Sequence, residues 1–255
     1  MCKKNINYST IKYFIHKKQN LYSYNMHINL FFDCDGVILN SNDLKTKAFQ
    51  HILKPYGDQY LEYFIDYHKS NGGISRYKKL DYFFHFILKK EPESNEIQYL
   101  VNNFSNYLLN YNYENLVTKN LYSFRESFKE TNLFIISGGS QIELNIIFKK
   151  IFIDHIFNGG IFGNPRDKIE IINDLSIKNS DLNIFFGDSE YDYKVALKYK
   201  MYFIFIHQWT EKKDWRVFCQ NNNIIYFKDI FSTVPYIKKL IYDHKKKINN
   251  CNTNL

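Results

Sequence analysis

The sequence predicts an α/β fold, in which a doubly wound, Rossmann-like parallel sheet carries an inserted α-helical cap domain. Short apolar runs alternate with amphipathic segments, which is the pattern of consecutive βαβ units. Three of these runs, at 28–32, 133–136 and 184–186, are apolar on both faces, as buried parallel strands are. The alternation is interrupted once, by a helical block at 43–113. This block is too long for a crossover connection and therefore predicts a cap.

The remaining elements follow the same periodicities along the chain. Strands are predicted at 28–32, 133–136, 184–186, 201–206 and 224–227. Helices between the strands are predicted at 119–130, 140–152, 167–178 and 190–200, and helices of the cap at 43–54, 58–69, 76–89 and 94–111. The predicted organisation is a basic N-terminal extension, a core in two pieces, the cap, and a basic, Asn-rich C-terminal tail, with bounds 1–27, 28–42 and 114–237, 43–113, and 238–255.

Composition excludes several classes of protein. Of the 255 residues, 45% are hydrophobic and 24% are charged, as in ordinary globular domains. No apolar run approaches the roughly 18 residues that a membrane-spanning helix needs. The four cysteines form no CxxC pair, which argues against a disulfide framework or a zinc site and favours a cytoplasmic protein.

The net charge of +8 is concentrated at the two ends of the chain. Residues 1–27 hold five lysines and no acid, and residues 238–247 hold five lysines and one acid. The stretch between them is therefore close to neutral, which argues against a dedicated nucleic-acid-binding domain. We expect a small-molecule partner, no nucleic acid and no membrane, and the sequence leaves the oligomeric state open.

Carboxylates follow two of the predicted strands. Asp33 and Asp35 come directly after the first strand, and Asp188 and Asp192 follow the run at 184–186. Because ligands bind where the carboxyl ends of parallel strands meet, we expect these four side chains near one crevice. Like charges this close are costly unless a cation joins them. Such oxygen ligands favour Mg²⁺, completed by water and a substrate phosphate.

The same strand ends carry the groups that phosphoryl transfer requires. One carboxylate can attack phosphorus and carry an aspartyl-phosphate, and a second acid two residues later can protonate the leaving alkoxide and then deprotonate the attacking water. Backbone N–H groups at Ser137-Gly138-Gly139, which precede a predicted helix, suit phosphate oxygens. Lys168 would offset negative charge on the phosphoryl group and on the nucleophile.

These residues resemble the four motifs of the haloacid dehalogenase (HAD) superfamily in order and spacing. The motifs are Asp33-Cys34-Asp35-Gly36-Val37 with Ser41, Ser137-Gly138-Gly139, Lys168, and Gly187-Asp188-Ser189-Glu190-Tyr191-Asp192. The resemblance covers about residues 28–210. The position of the helical block resembles that of the cap in phosphoglycolate phosphatase-like and sugar-phosphate phosphatases, so a HAD core with phosphatase activity is implied.

The resemblance also implies a role for each matching residue. It makes Asp33 the nucleophile and Asp35 the general acid and base, while Asp188 is a direct Mg²⁺ ligand and Asp192 a supporting acid. The implied catalytic residues are Asp33, Asp35 and Lys168. The implied phosphate-binding residues are Ser137, Gly138 and Lys168. The implied metal site comprises Asp33, Asp35 (also through its backbone carbonyl), Asp188 and Asp192.

The cap is expected to choose the substrate. Gly72 and Gly73, two of only ten glycines, stand together in it and are followed by Arg76. A Gly-Gly hinge beside a cation suits a loop that closes over an anionic or polyhydroxyl substrate. The alternative is an ordinary interhelical turn with a solvated basic helix start. Arg76 is thus a candidate substrate-binding residue.

The sequence therefore predicts a Mg²⁺-dependent phosphomonoesterase that acts on a small phosphorylated metabolite, a sugar phosphate or a phosphoglycolate-like acid. Asp35 argues against dehalogenation and phosphonate hydrolysis, since the enzymes of this superfamily that catalyse those reactions lack Asp at this position. A sugar phosphomutase would keep every motif and is the alternative enzyme. A catalytically inactive binding module is the other alternative, against which the intact Asp33, Asp35, Lys168 and Asp188 argue.

Overall fold

The fold is built on one parallel sheet, seen in a computed structural model that describes residues 27–178 and 181–253. The strands of the sheet are β1 (Ile28–Phe32), β2 (Asn132–Ser140), β3 (Gly160–Asn164), β4 (Leu182–Gly187), β5 (Tyr202–Ile206) and β6 (Ile225–Phe227). Their order is β3-β2-β1-β4-β5-β6, so the direction of winding reverses at the central strand β1. The doubly wound prediction is confirmed. The predicted extension at 1–27 lies outside the described residues except for His27.

Ten helices are described. They are α1 (Asn42–Leu53), α2 (Asp58–Ser70), α3 (Arg76–Tyr82), α4 (Glu96–Leu109), α5 (Leu121–Ser127), α6 (Gln141–Lys150), α7 (Lys168–Asp174), α8 (Glu190–Lys198), α9 (Trp215–Asn221) and α10 (Val234–Thr253). A π-helical turn at Phe83–Leu88 continues α3. The first four helices are those predicted for the cap. Among the described residues, no helix is both long and apolar enough to cross a membrane.

The structure differs from the predicted elements at three places. The strand β3 was not predicted, because only Ile161 and Phe162 in it are large and apolar and glycines flank them. The seven-residue helix α9 is too short to show a clear period. The basic stretch predicted as a tail is a continuation of α10, whose first turns are anchored because Ile237 is fully buried.

Stacked phenylalanines hold the central strands together. Phe32 of β1 and Phe186 of β4 are paired in register, and their rings stack at 4.6 Å on one face of the sheet. On the other face, Phe31 and Phe134 stack at 4.8 Å. Cross-strand aromatic pairs stabilise a sheet beyond the area that they bury. This packing fixes the end of β1, from which the first acidic motif continues.

A ladder of asparagine side chains joins the same central strands near their amino-terminal ends. Asn29 donates to Asn183 Oδ1 at 2.9 Å, and Asn132 donates to Asn29 Oδ1 at 2.9 Å. Buried amides must find partners, and a slip of one residue would separate all three. The ladder therefore specifies the register of β4, β1 and β2.

The cap has an aromatic interior of its own that is continuous with the core. Phe49 of α1 packs against Phe64 of α2 at 5.0 Å between ring centres, and against Phe104 of α4 at 4.5 Å. All three rings are buried. Because α1 starts nine residues after Asp33, the cap is joined directly to the first acidic motif.

We expect Phe32→Ala to lower the free energy of unfolding by about 3–5 kcal/mol, because it removes a stacked ring from a close-packed core. The matched control Ile142→Ala, at a side chain that is 71% exposed, should change it by no more than about 0.5 kcal/mol. Urea unfolding followed by circular dichroism measures both. Equal losses in the two variants would contradict the role given to the stack.

Candidate active site

Asp33 stands at the carboxyl end of the central strand. Its N–H donates to Phe186 O at 2.9 Å, which extends the ladder between β1 and β4. Its Oδ1 accepts hydrogen bonds from Cys34 N at 2.8 Å and from Lys168 Nζ at 2.6 Å. Its Oδ2 has no donor within the described part of the chain, and the residue lines a cleft. Asp33 therefore has one oxygen that is held and one that is available to a ligand.

Lys168 is held by two carboxylates at the start of α7. Its Nζ lies 2.6 Å from Asp33 Oδ1 and 2.6 Å from Asp192 Oδ1, and its side chain is fully buried. Asp167 caps the helix through two backbone N–H groups, which fixes the backbone that carries Lys168. Burial alone would lower the pKa of Lys168, but Asp192 and Asp33 raise that pKa above its usual range. Lys168 is therefore a cation at neutral pH.

Both oxygens of Asp192 are engaged by the protein. Oδ1 pairs with Lys168, and Oδ2 accepts hydrogen bonds from Ser189 N at 3.2 Å and Ser189 Oγ at 2.6 Å. Ser189 and Asp192 form a capping box at the start of α8, which requires these residue types three positions apart. This geometry suits Asp192 to orient Lys168, and a metal bound to Asp192 would share a carboxylate oxygen with one of these donors.

Asp188 and Gly36 lie against each other, after β4 and β1 respectively. The Asp188 side chain accepts a hydrogen bond from Asn42 Nδ2 at 3.2 Å. Burial, with Asp33 and Asp192 nearby, raises the pKa of Asp188 well above its usual range. Gly36 has φ +81°, and a Cβ on it would lie 2.1 Å from Asp188 Oδ2. The position therefore needs glycine both for its backbone conformation and for space.

The buried carboxylates are short of positive charge. One oxygen from each of Asp33, Asp188 and Asp192 lies within 4.8 Å of the others, and Lys168 is within hydrogen-bond distance of Asp33 and Asp192 only. Burial is the main reason that the pKa of Asp33 rises to about 7, against the opposing effect of Lys168. A divalent cation would favour the ionised forms, and oxygen ligands suit Mg²⁺. The residues fit such an ion, which Asp33, Asp188 and the Asp35 backbone carbonyl would hold.

The side chain of Asp35 is separate from this cluster. It accepts hydrogen bonds from Ser41 Oγ and Lys45 Nζ. Burial would raise the pKa of Asp35, but Lys45 and Ser41 outweigh burial and lower that pKa below its usual range. Asp35 is therefore an ionised base in this arrangement, and Lys45 is the hydrogen-bond donor in contact with it.

The Ser-Gly-Gly motif at the end of β2 meets the cap. Ser137 is fully buried, and its Oγ accepts a hydrogen bond from Gly139 N at 2.9 Å, which leaves its O–H free to donate to a ligand. A Cβ on Gly138 would lie 2.4 Å from Gly73 O, and a Cβ on Gly73 would lie 3.2 Å from Ser189 Oγ. The glycine loop of the cap thus packs on two loops of the core, so the cap is closed over the cleft.

Arg76 is buried at the boundary between the cap and the core. Its Nη1 and Nη2 donate to the two carboxylate oxygens of Glu143 at 2.6 Å and 2.5 Å, and Nη1 also donates to Ser105 Oγ at 3.1 Å. The guanidinium lies 4.3 Å from the centre of the Phe104 ring. Arg76 lines the cleft, but Glu143 of α6 balances its charge. It therefore links the cap to the core, and its predicted role in substrate binding stays a prediction.

The comparison with known families agrees with this geometry. Residues 30–206 match the family model of haloacid dehalogenase-like hydrolases. The match runs from β1 to β5 and includes all four motifs. The chain belongs to this family. No curated protein matches the chain in sequence.

Solved structures share the fold of this HAD-like hydrolase. A β-phosphoglucomutase from Clostridium difficile has a TM-score of 0.66 at 18% identity, over 88% of this chain and 99% of that one. A predicted phosphoglycolate phosphatase from Haemophilus somnus has a TM-score of 0.58 at 18% identity, over 85% and 99%. A Bacillus subtilis HAD-hydrolase solved bound to magnesium has a TM-score of 0.51 at 14% identity, over 71% and 89%. At these identities the likeness shows the fold.

Several charged or polar residues of the cleft are not singled out by the sequence patterns. Among them are Asn42, Lys45, Lys79 and Glu211. A signal for two of them was present, because Asn42 follows Ser41 in the first motif and Lys45 lies four residues after Ser41, on the same face of α1. Lys79 and Glu211 come from a cap helix and from the loop after β5, and only the folded chain brings them to this cleft.

We expect Mg²⁺ to raise the Tm of this HAD-like hydrolase, and to raise it more at pH 8 than at pH 5. Folding raises the pKa of Asp33 to about 7, so without metal the ionised carboxylate destabilises the fold increasingly as the pH rises towards and through that value. At pH 5, protons compete with the cation. A rise of about 5 °C at pH 8, with Mg²⁺ at a hundredfold excess over its Kd, is measurable by scanning fluorimetry against EDTA.

The control for this measurement is a pair of charge-matched variants. Asp188→Asn should lose most of the Mg²⁺ effect on Tm, and Glu62→Gln, at an exposed side chain of α2, should keep it. An equal response in both variants would mean that the cation binds elsewhere.

We expect Glu143→Gln to lower the free energy of unfolding by about 3–5 kcal/mol, because it leaves the buried Arg76 without a counter-charge. The double variant Arg76→Met with Glu143→Leu should recover most of this loss, since it removes both charges. Glu130→Gln, at an exposed side chain, is the control. Urea unfolding measures all three, and wild-type stability of Glu143→Gln would show that the pair does not join the cap to the core.

Proposed function

We propose that this HAD-like hydrolase is a Mg²⁺-dependent phosphomonoesterase that acts on a small phosphorylated metabolite through an aspartyl-phosphate on Asp33. The observation that carries the proposal is the pair of carboxylates in one cleft with different surroundings. Asp33 is held through Oδ1 by Lys168 and keeps Oδ2 free, whereas Asp35 is paired with Lys45. Two carboxylates in unlike environments can divide the roles of nucleophile and acid–base.

In the first step, Asp33 Oδ2 attacks phosphorus and the bond from phosphorus to the ester oxygen breaks. Lys168 holds the other oxygen of Asp33 and offsets negative charge on the phosphoryl group. The O–H of Ser137 and the N–H of Gly138 donate to phosphoryl oxygens. The leaving alkoxide takes a proton from Asp35, which carries the proton that it accepted from water in the preceding turnover. Mg²⁺, when bound, neutralises charge on the phosphoryl oxygens.

In the second step, water attacks phosphorus and releases Asp33 as a carboxylate. Asp35, now ionised, accepts a proton from that water. Its lowered pKa suits this step, because burial is outweighed by Lys45 and Ser41. The products are an alcohol and inorganic phosphate, and Asp35 is left protonated for the next turnover.

The closed cap and the family support a small substrate. The glycine loop of the cap packs within contact distance of the Ser-Gly-Gly motif, and the similar folds include a predicted phosphoglycolate phosphatase, whose name gives a small phosphorylated acid as its substrate.

The described cysteines, Cys34 and Cys219, are buried free thiols. Free thiols suit a reducing compartment, which supports the proposed cytoplasmic location.

A sugar phosphomutase is the second candidate, since the β-phosphoglucomutase fold covers 88% of this chain. A mutase would move the phosphoryl group of Asp33 to another hydroxyl of the sugar and not to water. Incubation with a phosphohexose separates the two activities, because the phosphatase releases phosphate and the mutase forms an isomer. The intact catalytic carboxylates argue against an inactive binding module.

We expect Asp33→Asn to lower turnover by at least about 10³-fold, because the amide keeps the shape but cannot form the aspartyl-phosphate. Release of phosphate from a panel of phosphorylated metabolites, in Mg²⁺, measures this. The control is Asp66→Asn, at an exposed side chain of α2, which should behave as wild type. Near-normal turnover of Asp33→Asn would show that another residue is the nucleophile.

Asp35→Asn should behave differently from Asp33→Asn. It removes the proton donor and the base, which are worth roughly 10²–10⁴-fold, but it leaves the nucleophile in place. The loss should therefore be smaller with an aryl phosphate, whose leaving group needs no proton, than with an alkyl phosphate. Mass spectrometry of a quenched reaction should find a phosphoryl group on the peptide that contains Asp33. A label on Ser137 would contradict the mechanism.

A further inference from the structure

Lys79 is a buried cation of the cleft that the proposed chemistry does not use. It lies on α3 of the cap, is 3% exposed, and lines the cleft together with Asp35 and Lys45. Its Nζ contacts His68 Nδ1 at 2.7 Å and His68 O at 3.1 Å. An ammonium group has three N–H donors, so these contacts leave one donor for a ligand.

Lys79 differs from the neighbouring cations in having no counter-charge. Lys45 is paired with Asp35, Arg76 with Glu143, and Lys212 with acids of the core; Lys69 is exposed. Within the described ranges, no carboxylate lies within 4.0 Å of Lys79 Nζ. A buried charge without a partner is costly, which gives this ammonium a strong preference for an anionic ligand.

The surroundings of Lys79 do not supply that anion. Burial, and then Lys79 itself, lower the pKa of His68 to about 2, so the ring is neutral. Burial and Lys45 lower the pKa of Lys79 to about 7, against the weaker, opposite effects of Glu211, Asp35 and Asp188, none of which contacts it. An anion in contact with Lys79 would raise that pKa. The ammonium is therefore destabilised until a negative group binds beside it.

A chain of hydrogen bonds fixes the direction of Lys79. Since Lys79 donates to His68 Nδ1, the ring proton is on Nε2, which lies 3.1 Å from Thr46 Oγ1. Thr46 Oγ1 in turn donates to Glu211 Oε1 at 3.2 Å. These contacts link Lys79 on α3, through His68, to three other segments of the chain, α2, α1 and the loop after β5, before any ligand arrives.

We propose that Lys79 binds a carboxylate on the alcohol part of the substrate, so that the enzyme acts on the phosphate monoester of a hydroxy acid or sugar acid. This inference rests on the proposed function, because it assumes that the phosphate occupies the Asp33 end of the cleft. Asp35 serves the leaving oxygen, and Lys79 lines the same cleft from the side of the cap. The alcohol part of the substrate therefore faces Lys79.

A carboxylate fits this position better than a second phosphate or a hydroxyl group. The single charge of a carboxylate matches that of one ammonium, whereas a phosphate dianion would need further donors and Lys45 and Arg76 are already paired. A hydroxyl group would leave the buried charge of Lys79 uncompensated.

The test compares matched esters that differ in the carboxylate. The pairs are phosphoglycolate with phosphoglycolamide, and 3-phosphoglycerate with glycerol 3-phosphate. The wild type should have a higher kcat/KM for the acid of at least one pair, and Lys79→Met should reduce that ratio at least about tenfold. Lys79→Gln should do the same if Lys79→Met folds poorly. The control Lys78→Met, at an exposed lysine of the same helix, should keep the wild-type ratio.

A binding measurement separates this inference from the proposed function. In the Asp33→Asn variant, calorimetry should show tighter binding of the acid than of the partner ester that lacks the carboxylate, and addition of Lys79→Met should abolish the difference. If the wild type hydrolyses no ester but this difference is found, the proposed function fails and the carboxylate site stands. If neither pair is distinguished by wild type, or if Lys79→Met leaves the ratio unchanged, the carboxylate site is overturned. A preference for a bisphosphate over both acids would also overturn it.

Discussion

The bridge from Lys168 to Asp33 and Asp192 is the interaction on which the rest of the site depends. Its charges lie where the end of β1 meets the first turns of α7 and α8, and both contacts of the lysine measure 2.6 Å. An unpaired charge could not be buried there, so the ends of β1 and β4 and the start of α7 must come together for any of them to be stable. The aromatic stacks and the asparagine ladder set that alignment from within the sheet.

The helix α1 links the candidate catalytic residue Asp35 to the interior of the cap. The helix α1 carries Lys45, which contacts Asp35, and also Phe49, which lies in the interior of the cap. The ion pair of Arg76 with Glu143 joins α3 to α6, the helix that follows the Ser-Gly-Gly motif in the chain. The position of the cap therefore determines the electrostatic surroundings of Asp35, and Glu143 keeps the guanidinium of Arg76 engaged.

The parts of the site that could be predicted are those encoded within a few neighbouring residues. Asp33, Asp35 and Asp188 follow apolar runs at strand ends, and the alternation of strands and helices was sufficient for the doubly wound core. The role of Arg76 could not be predicted in this way, because its partner Glu143 is 67 residues away in sequence. Lys79 and Glu211 likewise acquire their surroundings only from tertiary packing, and β3 is too short and too rich in glycine to form an apolar run.

The contact between Gly73 and Gly138 places cap and core against each other through main-chain atoms. A Cβ on Gly138 would approach Gly73 O to 2.4 Å, well inside van der Waals contact. The alignment of the two loops therefore does not depend on any side-chain rotamer. Even the methyl group of an alanine at residue 138 would move the loop of the cap about 1 Å away from the core. A displacement of this size can lower the rate of a reaction about 10²-fold. The closed position of the cap over the substrate cleft thus depends on the absence of a side chain at Gly138.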